Sequence, residues 1–174
     1  LIFGVISYIK ETGDFDFLEE PVPFNNVKNA TVFDHIKASF EHVINNLGPH
    51  GLPLIGHADW NDCLNLNAFS EKPGESFQTT NNRENSSAES VLIAGMFLTI
   101  GPDFIKLCNK AGREKLADKA KKHLADMKKD VNKYGRDQNW FLRAYDYYGD
   151  KVGSLESEYG QIFIEPQGFC IMGG

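Results

Sequence analysis

The stretch TVFDHIKASFEHVINNL, from Thr31 to Leu47, decides the fold class of this chain. Thr31, with Asp34 three residues later, forms an acidic variant of the capping box that begins many helices. The apolar residues recur with the 3.6-residue period of a helix, at Phe33, Ile36, Phe40, Val43, Ile44 and Leu47. Gly48 and Pro49 then end the pattern. We therefore expect an amphipathic helix that buries one face in a core.

Helical patterns continue on both sides of this stretch. Residues 2–10 have the pattern of the end of a helix, with Gly13 as its stop. Ser86 and Glu89 are the predicted caps of a third helix, which runs to about Ile100. That helix is apolar on most sides and rich in small residues, so we expect it to pack closely against several others.

The rest of the chain completes a mainly α pattern. A Gly-Pro pair at 101–102 separates the third helix from a short one, and residues 112–134 predict a long helix with Gly135 as a left-handed C-terminal cap. The run WFLRAYDYYGDKVGS predicts a β-hairpin, and GQIFIEPQGF a short apolar run that ends in a polar loop. We expect one domain over residues 1–174, incomplete at both ends, with helices in antiparallel pairs and long polar loops.

Composition and charge exclude several classes of partner. The chain has 174 residues, of which 41% are hydrophobic and 24% charged, as in an ordinary globular domain. Its formal net charge is −6, so we expect neither nucleic acid nor a membrane surface as a partner. The cysteines are too widely spaced for a zinc or redox motif; they are Cys63, Cys108 and Cys170. We expect no metal and a cytoplasmic location.

The polar run GLPLIGHADWNDCLNLNAF, from Gly51 to Phe69, carries the candidate chemistry. Within it, D-W-N-D at 59–62 is suited to a sugar, since an indole offers a flat apolar face and raises the pKa of a carboxyl it helps to bury. Asp and Asn also bond sugar hydroxyl groups. The same residue types are common in turns, where they bond their own backbone. From these residues alone, a sugar site and a polar turn are both open.

Longer spans of the sequence carry a resemblance. GLPLIGHADWNDCLNLNAFSEKPGESFQTT resembles the signature of cellobiose phosphorylases, whose inverting family includes chitobiose and cellodextrin phosphorylases. IKETGDFDFLEEPVPF, INNLGPHGLPLIG, WFLRAYD and GQIFIEPQGFCIM are similar to other runs of that family, in the same order. These stretches cover nearly the whole chain, which makes the resemblance specific.

The resemblance implies a fold and a reaction. It implies that the chain is an internal fragment of an (α/α)6-barrel catalytic domain, from a protein that is typically a homodimer. It implies reversible phosphorolysis of cellobiose to α-glucose 1-phosphate and glucose, with inversion and without a cofactor, since inorganic phosphate is a co-substrate. Most of the phosphate pocket would lie outside residues 1–174, so we expect the isolated fragment to be inactive.

The resemblance also assigns roles within the polar run. Asp62 is the implied general acid, and Trp60 lines the same sugar site. Asp59 either bonds a glucose hydroxyl or caps the loop. His57 stands where the family usually has an arginine, so it cannot offer that residue's planar fork to a sugar.

Two candidates lie downstream. Arg143 either reaches the mouth of the active site or makes a structural contact with Asp146 in the hairpin. Gln167, in the predicted loop EPQG, is placed to meet a glucose hydroxyl. Two alternatives to a cellobiose phosphorylase stay open. One is a phosphorylase for a related β-linked sugar, such as cellodextrin or chitobiose. The other is a non-catalytic carbohydrate-binding module that stacks sugars on Trp60, Trp140 and the tyrosines.

Overall fold

A computed structural model of the chain describes residues 1–26, 29–56 and 87–174. The helices are α1 (Ile2–Thr12), α2 (Val32–Asn45), α3 (Val91–Lys110), α4 (Glu114–Tyr134) and α5 (Ile164–Met172), with a 3-10 helix at Asp16–Glu19. The strands have two residues each: β1 (Glu89–Ser90), β2 (Arg136–Asp137), β3 (Trp140–Phe141), β4 (Ala144–Tyr145) and β5 (Lys151–Val152). The prediction of a mainly helical fold is confirmed.

The chain divides into two compact units. Unit 1 comprises residues 1–45 and 100–123, and unit 2 comprises residues 46–99 and 124–174. The core of unit 1 includes Ile36, which is fully buried, and the stacked rings of Phe40 and Phe104, whose centroids lie 4.7 Å apart. Burial of these large apolar side chains is the main stabilising contribution to such a unit.

Two predicted helix ends are confirmed in unit 1. The backbone N–H of Thr31 donates to the Asp34 carboxylate at 3.0 Å, and the N–H of Asp34 donates to the Thr31 hydroxyl at 3.3 Å, which closes the capping box at the start of α2. Gly13 ends α1 with a φ of +71°, and its N–H donates to the carbonyl of Ile9 at 2.8 Å. Both ends depend on contacts within a few residues, which is why the sequence pattern predicts them.

The prediction for the third helix was wrong at both of its ends. Helix α3 begins at Val91, where the Ser90 hydroxyl accepts the N–H of Ile93 at 3.1 Å, and Glu89 lies in strand β1 instead. The helix also continues through Pro102 to Lys110. A proline inside a helix removes one hydrogen bond, but residues on both sides of it are buried, and this burial outweighs the loss.

Because it does not break at the proline, α3 is long and apolar enough to cross a membrane by length and composition. Of the 18-residue window that gives this result, 56% is buried inside the protein, as in the core helix of a globular domain. The described part of the chain has one such helix.

Two further local predictions were wrong. Gly135 has no positive φ; its N–H donates to the Val131 carbonyl at 2.8 Å, and a Cβ there would lie 2.8 Å from that same oxygen. This glycine is therefore needed for close packing and not for a left-handed cap. The segment EPQG at 165–168 is not a loop, since it lies in the first turns of α5, where Pro166 is tolerated because early helical N–H groups have no intrahelical partner.

The predicted hairpin is confirmed in unit 2. Strands β4 and β5 are antiparallel, with Ala144 opposite Val152 and Tyr145 opposite Lys151. Strand β1 pairs with the other edge of β4, which gives a three-stranded sheet in the order β1-β4-β5. A separate antiparallel pair is formed by β2 and β3. The hairpin thus provides the framework on which β1 is held.

Candidate functional site

The segment before residues 57–86 pairs with the segment after them. His57, Asp59, Trp60 and Asp62 lie outside the described residues. Before them, residues 46–56 form an arm that pairs with residues 87–90 after them: the N–H of Ile55 donates to the Ala88 carbonyl at 2.9 Å, and the N–H of Ser90 donates to the Pro53 carbonyl at 2.8 Å. The two arms are therefore held together by backbone hydrogen bonds.

A buried carboxylate reinforces this junction. Glu89 is 1% exposed, and its Oε1 accepts the backbone N–H groups of His50 at 3.0 Å and Leu52 at 3.1 Å. Its Oε2 lies 2.5 Å from Nδ1 of His50. Because an ionised carboxylate only accepts, Nδ1 of His50 carries the hydrogen of this bond. The Glu89 side chain, in the second arm (residues 87–90), thus bonds three groups of the first arm: two backbone N–H groups and one imidazole nitrogen.

The imidazole of His50 is itself held by aromatic rings. It stacks on Tyr145 with a centroid distance of 4.0 Å and an interplanar angle of 19°, and it lies tilted against Tyr134 at 5.1 Å. The Tyr145 hydroxyl donates to the Tyr134 carbonyl at 2.7 Å, and burial raises the pKa of Tyr145 above its usual value. This tyrosine therefore stays neutral and fixes one face of the histidine ring.

Two glycines in the first arm allow the close approach of carboxylate side chains, Gly48 that of Glu89 and Gly51 that of Asp130. A Cβ at Gly48 would overlap the Glu89 side chain, and a Cβ at Gly51 would overlap the Asp130 carboxylate. Gly51 also has a φ of +74°, which side-chain-bearing residues rarely adopt. We refer to His50, Glu89 and the backbone of the arm from Gly48 to Leu52 as the arm clamp.

Arg143 is fully buried in unit 2, at the start of the hairpin. Its backbone N–H donates to the Val152 carbonyl at 2.8 Å. The Asp146 carboxylate accepts the N–H groups of Tyr148 at 2.9 Å and Asp150 at 2.8 Å, so it closes the hairpin turn. The Arg143 side chain is held by its complete burial in unit 2, and its contact with a sugar stays a prediction.

Gln167 fastens α5 to strand β3. Its Nε2 donates to the carbonyls of Phe141 at 2.7 Å and Phe163 at 2.9 Å, and its Oε1 accepts the N–H of Phe141 at 2.8 Å. Both amide hydrogens are used, and one lone pair of the oxygen is left. Its predicted contact with a glucose hydroxyl stays a prediction, in which the amide oxygen would be the acceptor.

The structure brings Arg143 and Gln167 to the same strand segment of unit 2, since Gln167 binds Phe141 and Arg143 follows two residues later. In the described ranges no group of three or more His, Cys, Asp and Glu side chains is arranged to hold a metal ion. The expectation of a metal-free site stays a prediction.

Sequence reasoning missed the arm clamp. The sequence predicts a helix cap at Glu89 and indicates no role for His50, because their contact spans 39 residues. One signal was available: His50 lies between Gly48 and Gly51, and two glycines beside a polar residue indicate a close approach of other groups. The partner of that approach cannot be identified from the sequence alone.

The described structure is mainly helical, and the sequence between α2 and α3 carries the polar run of carboxylates, amides and an indole. The chain belongs to the glycosyl hydrolase 94 superfamily, whose catalytic domain it matches over residues 1–174. The family implied by the sequence motifs is therefore confirmed.

Curated relatives carry phosphorylase names. The chain is 32% identical over 170 residues to a solabiose phosphorylase of Paenibacillus borealis, which covers 98% of this chain and 20% of that protein. It is 24% identical over 172 residues to an N,N'-diacetylchitobiose phosphorylase of Vibrio furnissii, covering 98% of this chain and 19% of the relative. A cellobionic acid phosphorylase of Neurospora crassa is 26% identical over 97% of this chain and 19% of its own length. The chain spans about a fifth of the length of these relatives.

Proposed function

We propose that the full-length protein carrying this chain is an inverting glycoside phosphorylase. The observation that carries the proposal is the family match over all 174 residues, together with relatives that are named phosphorylases and align over nearly the whole chain. The proposed substrate is cellobiose, which phosphate would convert reversibly to α-glucose 1-phosphate and glucose.

The proposed reaction requires one carboxylic acid from the protein. Asp62 donates its proton to the glycosidic oxygen as that bond breaks, and a phosphate oxygen attacks the anomeric carbon from the opposite face. An inverting hydrolase needs a second carboxylate to activate water, whereas phosphate is already an anionic nucleophile. The protein then contributes orientation of the two substrates and one correctly placed acid.

The remaining predicted residues would bind the sugar. Trp60 offers a flat apolar face to a glucose ring, while Asp59 and His57 supply polar groups for its hydroxyls. In the described part of the chain, the fixed amide of Gln167 suits a residue that holds a substrate in one orientation. The proposal also gives Arg143, which is fully buried, a contact with the sugar.

We further propose the finer architecture implied by the sequence resemblance. In this proposal residues 1–174 form part of one (α/α)6-barrel catalytic domain, and the full-length protein is a cytoplasmic homodimer. Inorganic phosphate is a co-substrate, and no cofactor takes part.

The test is to incubate the full-length protein with cellobiose, with and without inorganic phosphate, and to follow phosphorus by NMR. We expect a sugar phosphate to form and free phosphate to fall by an equal amount. Release of glucose in the absence of phosphate would show a hydrolase and refute the proposal.

A panel of disaccharides tests the choice of cellobiose. The relative with 32% identity is named for solabiose and another for N,N'-diacetylchitobiose, which favours these sugars as competing substrates. Cellobiose is expected to give the largest kcat/KM among cellobiose, solabiose, N,N'-diacetylchitobiose and cellobionic acid. A larger value for another sugar would keep the reaction class and replace the substrate.

Asp62→Asn tests the acid. The amide cannot donate the required proton, so kcat with cellobiose should fall by at least about 100-fold, the low end of general acid catalysis. Asp126→Asn, on the exposed face of α4, is the matched control and should leave kcat unchanged. Equal turnover by Asp62→Asn and the wild type would remove Asp62 from the mechanism.

A further inference from the structure

The arm clamp lies where the polar run joins the rest of unit 2. The buried Glu89 carboxylate accepts hydrogen bonds from residues 37 and 39 positions away, across the whole of the interval that contains Asp62. A contact between the two ends of an interval fixes how far apart those ends lie, at an entropic cost that grows only slowly with the length of the interval.

Both oxygens of the buried Glu89 carboxylate are bonded to the first arm. Burying a carboxylate is unfavourable unless its oxygens are fully bonded, and here one oxygen takes two backbone N–H groups while the other takes His50 Nδ1. Gly48 is also needed to make room for the carboxylate. The backbone pairs of Ile55 with Ala88 and Ser90 with Pro53 would already join the two arms.

We propose that Glu89 and His50 are positioning residues for the general acid: the arm clamp fixes the two ends of the interval that carries Asp62. This inference rests on the proposed function. A displacement of about 1 Å at a reacting group can cost on the order of 100-fold in rate, so a loose clamp reduces proton donation more than it reduces sugar binding.

Variants of Glu89 separate the hydrogen bonds from the charge. In Glu89→Ala all three contacts are lost. In Glu89→Gln the carbonyl oxygen still accepts from His50 and Leu52, and the amide can donate to His50 once the ring changes tautomer. We expect Glu89→Ala to lower kcat with cellobiose by about 100-fold and Glu89→Gln to lower it by less than about 10-fold.

Variants of His50 give an independent series. His50→Ala removes the ring and its donor, and is expected to lower kcat with little change in KM. His50→Asn restores an amide donor at the place of Nδ1 without the ring stacking, so it should recover most of the lost rate.

The readout that separates positioning from general damage is the leaving group. Cellobiose needs a proton on its leaving oxygen, whereas 2,4-dinitrophenyl β-glucoside leaves as a stable anion and needs none. We expect Glu89→Ala and His50→Ala to lose activity with cellobiose and phosphate but to keep that with the dinitrophenyl glucoside and phosphate. Asp137→Asn is the matched control in the same unit, where its carboxylate accepts from Ser154 and Leu155, and it should alter neither.

Each outcome decides a different question. Equal losses with both substrates, or no loss with either, would overturn the positioning role. If Glu89→Ala does not fold, Glu89→Gln, His50→Ala and His50→Asn still test it. A wild-type protein that forms no sugar phosphate from any disaccharide of the panel would instead refute the proposed function, and the inference with it.

Discussion

Two carboxylates of this chain bond the backbone at very different ranges. Asp34 in unit 1 accepts the N–H of Thr31, three residues away, at a partly buried helix end. Glu89 in unit 2 accepts N–H groups 37 and 39 residues away, and it is 1% exposed. The first contact forms with its own helix, whereas the second requires unit 2 to be folded. The local contact therefore defines the start of one helix, and the distant one holds two separate segments of the chain together.

The largest expected effect on stability is at Glu89. Glu89→Ala leaves two backbone N–H groups and one imidazole N–H without their acceptor, which costs about 3 kcal/mol or more. Hydrogen exchange in the full-length protein should show faster exchange over residues 46–56. Unchanged exchange in that arm would show that the carboxylate does not hold it.

A smaller effect is expected where the arm makes room for the carboxylate. Gly48→Ala places a methyl group on the Glu89 side chain, so we expect a loss of about 2 kcal/mol in the free energy of unfolding. Gly13→Ala is the matched control, since its φ of +71° is strained but nothing lies within 4 Å of the added carbon. The control should cost about 1 kcal/mol, and an equal cost at both positions would argue against crowding at Gly48.

At the capping box of α2 we expect a smaller loss in the free energy of unfolding, and one that is confined to the start of the helix. Asp34→Ala and Thr31→Ala are each expected to cost about 1 kcal/mol. Because the two side chains bond each other's backbone, the double variant should cost less than the sum of the single changes. Strict additivity in thermal unfolding would mean that the two bonds are independent.

The smallest effect concerns two buried thiols, one in each unit. Burial raises the pKa of Cys108 to about 11 and that of Cys170 to about 12. Both pKa values lie above that of an ordinary thiol, so the folded state binds the thiol protons more tightly than the unfolded state does. The protonated thiols therefore stabilise the fold. This stabilisation is complete below about pH 9 and is lost as the pH rises through the raised pKa values.

Thiol alkylation in a Cys63→Ser background tests the burial and the raised pKa of the two cysteines. Neither cysteine should react with iodoacetamide at pH 8 in the folded protein, and both should react in denaturant. Peptide mapping by mass spectrometry identifies each site. Fast alkylation of folded Cys170 at pH 8 would contradict its burial.

The difference between local and distant contacts also explains which parts of the fold the sequence could predict. The bounds of α2 follow from a capping box and a 3.6-residue pattern, and the hairpin from aromatic strands around a Gly-Asp turn. The continuation of α3 through Pro102 could not be predicted, because it depends on burial that only the folded chain provides.

The chemistry of the candidate site stays a prediction, since the residue types of D-W-N-D fit both a sugar site and a polar turn. The contacts that support the neighbouring arms could not be predicted. The pairing of His50 with Glu89 joins distant segments, so a pattern within one segment cannot reveal it. Gly135 shows the same limit, since its small size serves contact with Val91 as well as with its own helix.

The most direct test of the central claim is the anomeric configuration of the first product. The full-length protein is incubated with cellobiose and phosphate, and glucose 1-phosphate is observed by proton NMR before equilibrium is reached. Direct attack of phosphate, with Asp62 as the only acid, predicts the α-anomer from the earliest spectra. A β-anomer would require a covalent intermediate on a second carboxylate and would contradict the proposed mechanism.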